Sequence, residues 1–152
     1  MRPGITEHNR ETLRRLGARA RRDFSGAHMS DTKWRKLLCA LDEAGFGRAQ
    51  IIVQFIDCPE PGVMTLPTRA DLWPPRPYVD SMSVGPFELR AIAWLELPAF
   101  ARWPGRDGRP VPGIPQDVAR ARAVLESLGR FPLEETERGL RVIGYSGRRS
   151  GA

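Results

Sequence analysis

Residues 87–97 read FELRAIAWLEL, and the alternation in this stretch decides the fold. Phe87, Leu89, Ala91, Ala93, Leu95 and Leu97 fall on one side of an extended chain and Glu88, Arg90, Ile92, Trp94 and Glu96 on the other, because successive side chains of a strand point to opposite faces. One face is therefore expected to be buried and the other mixed. Residues 78–84 form a second strand-like run, and the simplest arrangement joins the two at Gly85-Pro86 as an antiparallel pair. Upstream, residues 50–57 (QIIVQFID) are β-branched and aromatic, apolar on both faces apart from two glutamines, which is how a central strand reads. Downstream, residues 131–137 and 140–145 flank Gly139 and predict a closing hairpin.

Helices flank these strands. Trp34, Leu37, Leu38 and Leu41 repeat at helical spacing after the capping residues Ser30 and Asp31, and Gly45 supplies a stop. Val118, Ala121, Val124, Leu125 and Leu128 make the apolar stripe of a second helix over residues 116–128. Between Pro59 and Pro115 lie twelve of the fourteen prolines, which forbids a long helix there. The order predicts an α+β fold, a mainly antiparallel sheet with two principal helices packed on one face, plus a basic N-terminal extension. The chain of 152 residues fits one domain, set at residues 29–145, and no apolar stretch reaches the length of a membrane span.

The formal net charge of +6 is concentrated at the ends. Residues 1–28 carry seven arginines against Glu7, Glu11 and Asp23, the tail 146–152 adds Arg148 and Arg149, and residues 29–145 balance to zero. Residues 1–28 are expected to be a loosely held extension, helical or disordered, with Leu13, Leu16, Ala20 and Phe24 at helical spacing. Met29 reads as a fresh beginning, and residues 146–152 as a flexible basic tail. Within the body, residues 51–100 are acidic and the next thirty are basic, a dipolar distribution that suits a complementary protein better than a polyanion.

The residue types present exclude several chemistries. The only histidines are His8 and His28, so Ser–His or Cys–His catalysis would have to borrow its base from the extension, and no Gly-x-Ser-x-Gly elbow occurs. Cys39 and Cys58 stand nineteen residues apart without ligand-pair spacing and read as ordinary reduced thiols. There is no phosphate-binding loop, and lysine occurs only at Lys33 and Lys36. Asp57, Glu60, Asp80 and Glu88 could form an acid–base or cation-binding set, but no spacing rule links them and they read as solvated charges. No cofactor, metal or catalytic residue is expected. Among the aromatics, Trp34 belongs to the core, Trp73 and Tyr78 flank a Pro74–Pro77 segment read as a rigid cover, and Trp94 and Trp103 have the charged neighbours of an interface hot spot.

Residues 32–37 (TKWRKL), 77–81 (PYVDS), 85–92 (GPFELRAI) and 139–145 (GLRVIGY) look like those of a family of small bacterial proteins of unknown function, a likeness that covers roughly residues 29–145. That family is similar in size and style to immunity proteins of bacterial toxin systems. The resemblance implies a cytoplasmic binder that occludes a cognate toxin, and it carries over no catalytic residue. The expectation is thus a non-enzymatic protein-binding module, with Asp80, Glu88, Arg90, Trp94 and Glu96 as the contact region. The alternative is a nucleic-acid-binding protein that uses the arginine-rich termini, chiefly Arg14, Arg15, Arg19, Arg21 and Arg22. Homo-oligomerisation stays open on either reading.

Overall fold

The computed structural model describes residues 5–72, 78–81, 85–103 and 112–148. The Pro74–Pro77 segment and most of the loop 104–115 lie outside these residues. The element order begins with α1 (Ile5–Asp23), β1 (Phe24–Ala27) and α2 (Asp31–Leu41). The middle of the chain supplies β2 (Gln50–Phe55), β3 (Gly62–Thr65), the short α3 (Arg69–Leu72), β4 (Tyr78–Ser81), β5 (Gly85–Glu88) and β6 (Ile92–Pro98). After it come β7 (Phe100–Ala101), β8 (Ile114–Pro115), α4 (Val118–Leu128), β9 (Leu133–Glu135), β10 (Gly139–Ile143) and β11 (Tyr145–Arg148). The fold is α+β with an antiparallel five-stranded sheet in the order β3-β2-β6-β10-β9.

Helix α2 begins where the capping residues predict, with Ser30 Oγ accepting from the Lys33 amide at 3.1 Å. It runs on through a wider turn, Asp42–Phe46, in which Gly45 adopts φ +92°, a conformation that favours glycine. Asp117 caps α4 by accepting from the Arg120 amide at 3.0 Å. Trp34, Leu37, Leu38 and Leu41 of α2 and Ala121 and Leu125 of α4 pack on one side of the sheet against Ile51, Val53, Met64, Leu95, Leu97, Leu140 and Val142. Both principal helices thus cover one face. The β9–β10 hairpin forms as expected, and Gly139 is required there: a Cβ would stand 2.1 Å from the Leu97 carbonyl oxygen.

Residues 87–97 do not run as one strand. A 3-10 turn at Leu89–Ala91 separates β5 from β6, and a register shift between Gln54 and Phe55 follows on the partner strand. An interruption of this kind changes which side chains face the core. Leu89 and Ile92 therefore enter the main core with Leu95 and Leu97, whereas Ala91 and Ala93 turn to a second cluster. Only β5 pairs with β4, with Gly85 and Pro86 inside the strand rather than at the turn, while β6 pairs with β2 and β10.

Among the described residues, α1 and the strands β1 and β11 make contacts of their own. Helix α1 buries Leu16 and Ala20 against Ile56, Ala91 and Ala93, with Phe24, Trp94 and Tyr145 packed at the margin. Strand β1 pairs antiparallel with β11, so that Phe24 stands opposite Arg148 and Gly26 opposite Ser146. Residues 16 and 20 of the basic extension and the β1–β11 pair thus make contacts with the body expected at 29–145; the apolar stripe of α1 finds a surface that the turn at Leu89–Ala91 creates. Replacing Leu16 with Ala is expected to cost about 2–4 kcal/mol in urea unfolding. An unchanged unfolding midpoint would show that α1 does not pack.

Candidate functional site

The face of the sheet opposite α2 and α4 carries the side chains of interest. Register places Val63, Ile52, Glu96, Arg141 and Glu134 in one row across all five strands. Glu96, in the middle strand, is fully buried. One of its carboxylate oxygens accepts from Thr136 Oγ1 at 2.6 Å and from the Arg141 guanidinium at 3.4 Å. Arg138 brings its Nε to 3.1 Å of the other oxygen. Arg141 in turn lies over the Trp94 ring, 3.8 Å from its centroid. Burying a carboxylate is costly unless partners replace its water, and here the β9–β10 turn supplies them.

Beside this cluster a groove of about 420 Å3 opens between the sheet and the segment after β6. Its apolar wall includes Ile52, Val63 and Phe100, of which Val63 and Phe100 are each 54% exposed. Arg102, Arg138 and Glu137 supply its charge. Two glutamines brace the wall. Gln50 exchanges hydrogen bonds with the Arg102 backbone, both 2.8 Å, and Gln116 accepts from the Gln50 amide at 2.8 Å while donating to the Pro98 carbonyl at 2.9 Å. Segment 98–102 is thus pinned to β2 although it is not a sixth strand of the sheet.

The five side chains expected to form a contact region do not share one open surface. Glu96 is the clear correction: strand alternation put it on a mixed face, but it is sealed beneath Thr136, Arg138 and Arg141 and offers nothing to a partner. Trp94 is half-buried under Arg141. Arg90 donates to Asp31 at 2.9 Å, and its carbonyl accepts from Tyr145 Oη at 2.8 Å. Glu88 is half-buried on β5, and Asp80 lies on β4, in the separate two-stranded sheet. The groove residues Val63, Phe100, Arg102 and Arg138 were missed because no local pattern joins them; the prominence of Gln50 in an apolar strand was the one sequence signal near the site.

Arg14, Arg15, Arg19, Arg21 and Arg22 are all exposed on α1. Arg14 pairs with Glu11, and Arg19 and Arg22 reach Asp23 at 3.5 and 3.2 Å. His28 Nε2 stands 2.5 Å from Ser146 Oγ on the β1–β11 ribbon, outside the groove lining. Among the described residues no three His, Cys, Asp or Glu side chains form a group that could hold a metal ion. No helix among them is long and apolar enough to cross a membrane.

No protein-family model, no curated protein and no solved structure matches the chain.

Glu96→Ala leaves the largely buried Arg141 guanidinium without its carboxylate and a cavity in the middle strand, and is expected to destabilise the fold by about 3–5 kcal/mol. Arg138→Ala, whose side chain is 56% exposed, leaves Thr136 and Arg141 in place and should cost about 1–2 kcal/mol. Equal losses in urea titrations would contradict the arrangement. Burial pushes the Cys39 thiol up, and at Cys58 desolvation and then the Asp57 carboxylate act in the same direction. A raised thiol pKa means less thiolate at a given pH, so both cysteines should react with iodoacetamide at pH 8 more slowly than free cysteine does.

Proposed function

We propose that the chain is a non-enzymatic protein-binding module of the cytoplasm, acting as an immunity-type inhibitor that neutralises a cognate bacterial toxin by occlusion. The observation that carries this reading is the groove, in which exposed Val63 and Phe100 stand beside Arg102 and Arg138 on a braced wall. An apolar patch rimmed by arginine has the composition of an interface centre. It fits a partner that presents an aliphatic or aromatic side chain next to a carboxylate, since two guanidinium groups line the groove against the single acidic residue Glu137.

The buried carboxylates support the same reading because they are committed to internal partners. Glu96 is held by Thr136 and two arginines. Asp71 accepts from the Thr68 amide at 2.9 Å and so caps α3. Groups tied up in this way brace a surface instead of exchanging protons with a substrate. The immunity-type assignment itself rests on the likeness of residues 32–37, 77–81, 85–92 and 139–145 noted above.

The test is affinity capture with the full chain, identification of its companion, and reconstitution from purified proteins. Phe100→Glu and Arg102→Glu are each expected to weaken the reconstituted complex at least about tenfold, or about 1.4 kcal/mol, while leaving the melting curve in place. Co-expression should protect cells from the companion. If both variants bind as well as the parent, the groove is not the contact surface; if the companion is harmless on its own, the inhibitor reading fails.

A further inference from the structure

We infer that the outer face of α1 is a second, independent binding surface, built for the phosphate backbone of double-stranded nucleic acid. Leu16 and Ala20 fix the inner side of this helix against Ile56, Ala91 and Ala93. At 3.6 residues per turn the outer side then carries Arg14 and Arg21 along one flank and Arg15 and Arg22 along the other, with the exposed Ala18 between them. Members of each row are seven residues apart, about 10.5 Å along the axis at 1.5 Å per residue. Four guanidinium groups thus frame a low ridge that a polyanion can approach closely.

The chemistry of this face selects among anionic partners. An interfacial membrane helix buries its apolar side in lipid. In α1 that side is already spent on the domain. A protein interface is centred on apolar or aromatic side chains. Along the strip between these arginine rows stand Ala18 and, seven residues before it, Glu11, and neither supplies an apolar or aromatic centre. Arginine without an apolar centre matches phosphate, which accepts the planar guanidinium fork and needs no hydrophobic contact. The competing ion pairs, Arg14 with Glu11 and Arg19 and Arg22 with Asp23, are solvent-exposed and weak enough to be exchanged.

The experiment is fluorescence anisotropy of the full chain with a labelled DNA duplex of mixed sequence at 50–200 mM NaCl. Four phosphate contacts predict a slope of log K against log salt near −3.6, so affinity should fall about 150-fold between 50 and 200 mM. Arg15→Gln with Arg21→Gln removes two contacts without touching the packed side, and should reduce that loss to about 12-fold. Lys33→Gln with Lys36→Gln removes the same charge from the exposed side of α2 and should leave the slope unchanged. No binding at 50 mM, or an equal effect of the lysine pair, overturns the inference. So does equally tight, equally arginine-dependent binding of poly-glutamate or of anionic phospholipid vesicles, which would reassign the face to an acidic protein or a membrane surface.

Discussion

Glu96 sits in the strand that has two neighbours on each side, and its carboxylate can be kept from water only because Thr136, Arg138 and Arg141 close over it. That requirement draws the β9–β10 turn onto the sheet and sets the register in which Arg141 faces Glu96. It also explains why Gly139 is needed, since the turn must press against the Leu97 carbonyl to reach the carboxylate. The groove inherits its charged wall from the same turn: Glu137 and Arg138 flank it because Arg138 is held at Glu96. An internal charge and an external binding surface are in this sense two sides of one loop.

The two faces of the sheet are used differently. On one, α2 and α4 bury a continuous apolar layer. On the other, apolar side chains are too few for a second full layer, so the area is divided among α1 with its small cluster, the Arg141–Trp94 stack and the groove. Packing α1 there has an electrostatic consequence, because it fixes an arginine-rich helix to a domain whose remaining charges nearly cancel. The protein then presents two chemically distinct surfaces. One is a mixed apolar and basic groove, and the other an arginine-rich helix face.

Much of the fold was legible because it is written in local periodicity. The stripes Trp34-Leu37-Leu38-Leu41 and Ala121-Leu125 became the buried faces of α2 and α4, and Ser30 caps the first of them. The hairpin at Gly139 formed for similar reasons. Residues 87–97 were misread because alternation alone cannot reveal a 3-10 turn, after which Ile92 takes the core position that Ala91 and Ala93 would otherwise hold. The candidate site was barely legible. Val63, Phe100, Arg102 and Arg138 come from separate parts of the chain and meet only when β2, β6 and the β9–β10 turn are assembled.

The sequence by itself determined the α+β class, the two main helices and the location of the charge excess, since each depends on neighbours within a few residues of one another. Only the tertiary structure decided what the inner side of the basic N-terminal helix packs against, that Glu96 is buried among internal partners, and where the groove lies. The physical reason is that burial is a property of assembled surfaces. A glutamate flanked by leucines has the same local sequence whether it meets water or, as here, an arginine forty-two residues further along the chain.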